Sequence, residues 1–129
     1  MYPHFVSVQY AEGRYFVIKD KGLLGGSAVL LLLSLLAEED CYGYEIIRRI
    51  ASRSDDAFQY REGTLYPVLH KMEADGLVRS YRREAENGKT RTYYAITDRG
   101  VKQLATERKE WDEFSSAVNK VVRGGAYAV

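Results

Sequence analysis

Between Glu62 and Thr97 the chain reads EGTLYPVLHKMEADGLVRSYRREAENGKTRTYYAIT. A short helical pattern, a glycine stop and two alternating strands about an Asn-Gly pair follow in that order. Few architectures accept it. A helix running into a polar-tipped hairpin is the reading end of a winged helix-turn-helix, in which the helix enters a major groove and the hairpin reaches the flanking backbone. The expected fold is mainly α with a small β-hairpin wing.

The helix pattern places Leu65, Val68, Leu69 and Met72 on a buried face at helical spacing. Tyr66, Pro67, His70, Lys71 and Ala74 lie opposite. Thr64 is expected to act as N-cap, its hydroxyl taking a free backbone N–H of the first turn. Pro67 then falls at the third helical position, where it has no intrahelical N–H bond to lose. Gly76 stands where a left-handed terminator is wanted.

The hairpin is predicted from its period of two, with strands over Leu77–Arg83 and Lys89–Ile96 and Asn87-Gly88 supplying the positive-φ positions of the turn. Arg82, Arg83, Lys89 and Arg91 cluster about its tip. Basic residues on a hairpin also serve solubility alone. Their position after this helix favours phosphate contact.

The chain has 129 residues, 46% hydrophobic, enough for one core. Its formal net charge is only +1, so a nucleic-acid argument rests on local clustering. Acidic residues are partly segregated, in Glu38-Glu39-Asp40 and Asp55-Asp56, and are expected as solvated helix ends. With no His or Cys spaced for ligation, no metal site or cofactor is expected. The single cysteine, Cys41, excludes an intrachain disulfide, fits a reducing cytoplasm and is expected as a buried filler rather than a redox switch. The apolar run Ala28–Leu36 is far too short to span a bilayer and lacks the flanks of a signal peptide.

Around the reading unit, residues 1–22 form an N-terminal extension with a hairpin-like pattern. Gly22, Gly25 and Gly26 are expected to break the chain before Ser27 caps a buried helix over Ala28–Ala37. A second helix is predicted over Tyr44–Ser52, with Arg48, Arg49 and Arg53 outward, then a polar loop to Tyr60. The winged helix-turn-helix thus occupies residues 23–97. Thr97-Asp98 opens a long helix over residues 98–123, followed by a flexible tail at 124–129. Along that helix Leu104, Trp111, Phe114, Val118 and Val121 make an apolar stripe with no evident intrachain cover, which points to a two-fold dimer.

The chain resembles the PadR-like transcriptional regulators, in their small branch with a single C-terminal dimerisation helix. The resemblance is carried by Tyr42-Gly43-Tyr44-Glu45-Ile46, Gly63-Thr64-Leu65-Tyr66-Pro67-Val68-Leu69, Glu73-Ala74-Asp75-Gly76-Leu77-Val78 and Arg91-Thr92-Tyr93-Tyr94-Ala95-Ile96-Thr97 with Gly100. It covers roughly Leu23 to Val122. It implies a cytoplasmic homodimeric repressor on a palindromic operator in double-stranded DNA, released by a ligand or stress. Carried over by position, Tyr44, Thr64, Tyr66 and Lys71 would touch DNA, and Lys89 and Arg91 would act from the wing. His70 shares the groove-facing side of the reading helix and joins the DNA-binding candidates. Trp111 lies where multidrug-sensing members stack flat ligands, so a flat aromatic or cationic effector is the implied small molecule; pure dimer packing is its first expected role. Two departures stand out: Met1–Ile18 looks strand-like where members often begin with a helix, and the larger helical domain of phenolic-acid-sensing members is lacking.

A winged helix used only for protein–protein contact is the competing reading, which the near-neutral charge keeps open. No nucleophile–base pair, metal cluster or phosphate loop supports an enzyme.

Overall fold

The computed structural model describes the backbone of Val8–Tyr10, Phe16–Ile18 and residues 21–124, and side chains from Ser27 onward. Strands β1 (Val8–Tyr10) and β2 (Phe16–Ile18) pair antiparallel, Val8 opposite Ile18. Helix α1 spans Lys21–Leu36, strand β3 Cys41–Tyr42, and helix α2 Gly43–Arg53. Helix α3 covers Glu62–Ala74, strands β4 and β5 cover Val78–Glu84 and Thr90–Ile96, and helix α4 runs Asp98–Arg123. The tail beyond Gly124 lies outside the described residues.

Two helix starts differ from expectation. Helix α1 begins six residues before Ser27, so Ser27 is interior rather than the N-cap, and the boundary drawn between residues 22 and 23 falls inside the helix. Glycine costs a helix about 1 kcal/mol relative to alanine but does not forbid it. The long apolar run behind Gly22, Gly25 and Gly26 carries them. Helix α3 likewise begins at Glu62 with Arg61 as N-cap and no side-chain cap; Thr64 N and Leu65 N both donate to the Arg61 carbonyl, at 3.0 and 2.9 Å. Thr64 is therefore helical rather than capping, and Pro67 sits past the first turn. Its ring crowds the carbonyl four residues back. That residue is the exposed Gly63, whose surroundings are open.

The helix ends as expected. Gly76, at φ 78°, lets Leu77 N reach Met72 O (2.9 Å) and Gly76 N reach Glu73 O (3.0 Å), the paired bonds of a Schellman cap. The Glu73 carboxylate then accepts from Ser80 N–H (2.9 Å) and Ser80 hydroxyl (2.7 Å), tying α3 to β4.

The sheet order is β3-β5-β4, all antiparallel. Val78↔Ile96 and Ser80↔Tyr94 lie on the core side, Arg79↔Ala95 and Tyr81↔Tyr93 on the other. The turn differs in one particular: only Gly88, at φ 81°, takes a positive φ. Asn87 instead uses its side-chain oxygen to accept Lys89 N–H (3.0 Å), while Gly88 N donates to Ala85 O and Ala85 N to Lys89 O. A glycine in the left-handed region after a type I turn makes a bulged hairpin loop.

The core gathers Leu32, Leu33, Leu36, Ile46, Leu65, Leu69, Met72, Val78 and Tyr94 from every layer. Thr97 caps α4, its hydroxyl oxygen accepting Gly100 N–H at 3.0 Å and its O–H donating to Gly76 O at 2.6 Å. Gly100 is indispensable there. A Cβ would lie 2.7 Å from Ile96 Cγ1 and closer still to the Leu77 carbonyl oxygen. Leu104, expected in a dimer interface, is 4% exposed and belongs to this monomer core. It lies near the start of α4, where that helix still packs on α1.

Candidate nucleic-acid interface

Helix α3 presents Gly63, Pro67, His70, Lys71 and Ala74 to solvent, while Leu65, Leu69 and Met72 hold it to the core. Lys71 is exposed but paired, its Nζ 3.2 Å from Asp75 Oδ2 one turn on. Such a pair is worth at most about 1 kcal/mol in water and exchanges readily for a phosphate. His70 is exposed, its ring 6.3 Å from that of Tyr66. Thr64 is half-buried.

Tyr66 does not stand clear of the protein. It is half-buried against the core, and its phenol lies over Gly43, where a Cβ would come within 2.7 Å of the ring. Helix α2 thus begins beneath a side chain of α3. Tyr44, one residue on, is 51% exposed, with the Arg48 guanidinium 5.2 Å from its ring centroid.

The basic face expected of α2 is mostly neutralised. Arg53 donates to Glu38 (Nη1 to Oε2, 2.6 Å), and Arg49 pairs with Glu39 and lies 3.7 Å from Glu38. The Glu38 carboxyl is held below its ordinary range, chiefly by its hydrogen bond with Arg53. The acidic run is exposed just past α1, as expected of a solvated helix end, and it also pairs with α2, which leaves Arg48 as the outward cation. Asp40 accepts the Tyr81 hydroxyl of β4. Cys41 is wholly buried, and burial, with Glu45 nearby, pushes its thiol up to about 11. It is the buried filler expected, and the raised pKa disfavours the thiolate that thiol chemistry requires.

On the wing, Arg82, Arg83 and Lys89 are exposed. Arg83 lies over the Tyr93 ring at 4.1 Å, and Arg82 donates to Thr92 Oγ1 at 3.3 Å. Arg91, expected at the DNA backbone, is half-buried with its guanidinium 4.5 Å from the Tyr42 ring centroid. Tyr42, Glu45, Arg83, Glu84, Arg91 and Tyr93 help line an open cleft of about 490 Å³ between wing and α2. Tyr42 was missed as a functional candidate. Its one signal was its place in the Tyr-Gly-Tyr-Glu run.

Trp111, Phe114, Val118 and Val121 are 52, 63, 40 and 84% exposed, with the rings of Trp111 and Phe114 at 6.2 Å. Among the described residues there is no cluster suited to a metal ion, and no helix is long and apolar enough to cross a membrane.

Residues 32–106 match the transcriptional regulator PadR-like family. A protein of Lysinibacillus sphaericus is 33% identical over 102 residues, 79% of this chain and 94% of its own. Among solved structures, a transcriptional regulator from Clostridium thermocellum superposes with a TM-score of 0.70 at 36% identity, covering 77% of this chain and 96% of the other. A PadR-like transcriptional regulator from Bacillus cereus gives 0.71 at 29% identity, with 80% and 98% covered.

Proposed function

Because the chain belongs to the PadR-like family of transcriptional regulators, we propose that it is a dimeric repressor that holds a palindromic operator and lets go on a small-molecule signal. It is a DNA-binding regulator and not an enzyme. The observation that carries the finer reading is the meeting of three elements at the start of α2. Tyr66 of α3 rests on Gly43, while Tyr42 and Glu45 share a cleft with the wing. A groove-reading helix, a second helix end and a basic hairpin are thereby held as one surface.

On that surface Thr64, Tyr66 and His70 face the groove. Tyr44 and Lys71 flank it, and Lys89 with Arg82 reaches phosphates from the wing tip. The α4 seam supplies the dimer. Trp111, Phe114, Val118 and Val121 recur at steps of three and four residues, the spacing of a helix-pairing stripe, and are exposed in one chain. A second copy related by a two-fold axis covers them and sets two reading helices about one DNA turn apart. The paired indole and phenyl rings offer a stacking surface for a flat aromatic or cationic effector.

The test is retention of genomic fragments by the purified protein, followed by salt titration on a recovered fragment. Phosphate neutralisation makes log affinity fall linearly with log salt, at about 0.9 units for each phosphate contact. A flat response sinks the DNA reading in favour of a protein–protein module. Quenching of Trp111, the single tryptophan, by planar compounds that also weaken fragment binding tests the effector reading; quenching without that loss leaves no switch.

A further inference from the structure

On its α2 side the wing's strand pairing is short. Strand β3 contributes only Cys41 and Tyr42, opposite Tyr94 and Tyr93 of β5. At Gly43 the chain turns into α2, so β5 has no third strand beside it from Thr92 toward the tip. Past that point a side chain takes over. Arg91 lies diagonal to Tyr42 across the two strands and stacks its guanidinium on that ring at 4.5 Å, within the range of a cation–π contact. Tyr42 in turn meets Tyr93 edge-on at 5.5 Å.

The surroundings of Arg91 do not suit a phosphate contact. Its Nε is buried and has no hydrogen-bond acceptor. The cleft it faces holds three carboxylates, Glu45, Glu84 and Glu86, against one other cation, Arg83, a balance that disfavours a phosphate there. Arg82 and Lys89, by contrast, are exposed near the tip. We infer that Arg91 is a positioning residue: by stacking on Tyr42 it fixes the angle between wing and α2, and so presents Arg82 and Lys89 to the DNA backbone. The inference rests on the DNA-binding reading above and deepens it.

Lysine separates charge from stacking. It keeps the positive charge of arginine but lacks the planar guanidinium that lies flat on a ring. The experiment measures affinity of the full-length protein for a mixed-sequence DNA duplex across a salt series, for wild type, Arg91→Lys, Arg91→Ala, Tyr42→Leu and Tyr42→Phe. Thermal melting of each variant reports folding. Arg91→Lys, Arg91→Ala and Tyr42→Leu should each lose about five- to ten-fold in affinity, the scale of a lost cation–π contact, with the salt slope of wild type. Tyr42→Phe keeps the ring and should bind as wild type does. If Arg91→Lys binds like wild type while Arg91→Ala lowers the slope by about one unit, Arg91 is a phosphate contact and the inference is overturned. Unchanged affinity in a folded Tyr42→Leu overturns it equally. A wild-type protein that retains no duplex overturns the DNA-binding reading itself, an outcome distinct from both.

Discussion

At Gly43 a single hydrogen in place of a methyl group decides how closely two helices approach. The Tyr66 phenol occupies the space a Cβ would need, 2.7 Å from its Cζ. Gly43→Ala should therefore push Tyr66 outward. Alanine favours the helix by up to about 1 kcal/mol, which offsets part of the clash, so melting should change little. Duplex affinity should fall by about ten-fold, the equivalent of about 1.4 kcal/mol; an unchanged affinity would show that Tyr66 has no part in binding. Cys41 makes a second residue-scale prediction. Its thiol moves from the ordinary 9.0 to about 11 because burial disfavours the thiolate, so between these values the folded chain holds a proton that the unfolded chain releases. Stability from this group is whole below pH 9 and is lost as pH rises toward 11. Urea melts of wild type and Cys41→Ala should diverge in slope over that window. Parallel curves would contradict it.

At the scale of elements, the proposed DNA contact is divided between α3 and the wing. The helix is anchored at its C-terminus by the Gly76 cap and by Glu73 on Ser80. The hairpin tip extends beyond β3 and carries its cations on exposed positions. Lys71→Ala and Lys89→Ala should each weaken specific and mixed-sequence binding alike, and each should lower the salt slope by about one unit, the mark of one lost phosphate contact. A double variant that binds as tightly as wild type would remove both residues from the interface.

Across the whole molecule, α4 divides into a part buried in the core of its own chain and a part left exposed, which the proposed dimer would cover. Leu104 is 4% exposed and sits in the monomer core, whereas Trp111 and Phe114 are 52% and 63% exposed. Replacing both aromatics with Glu should give a folded monomer in sedimentation, with helical content retained. Leu104→Ala should instead cost about 2–5 kcal/mol in stability, as a buried leucine truncation does, and leave association intact in the chains that remain folded. Sedimentation of the wild type as a monomer at micromolar concentration would leave the seam without its proposed partner.

Much of this arrangement was legible along the chain. The helical spacing of Leu65, Leu69 and Met72, the strand-prone run Thr90–Ile96, the Gly76 stop and the Thr97 cap are local patterns, and the fold realises each of them. What lay beyond reach depended on residues far apart in sequence. Glu38 and Glu39 quench Arg53 and Arg49 only because α1 delivers them to the flank of α2. Tyr66 covers Gly43, and Arg91 turns in on Tyr42, because β3 brings the start of α2 against both α3 and the wing. The starts of α1 and α3 lie upstream of their apparent caps: α3 is already turning at Glu62, where Thr64 N and Leu65 N reach the Arg61 carbonyl without any side-chain cap. Periodicity is written in neighbouring residues. Charge pairing, ring stacking and the division of α4 between core and exposed stripe are set by distances that exist only once the layers have packed.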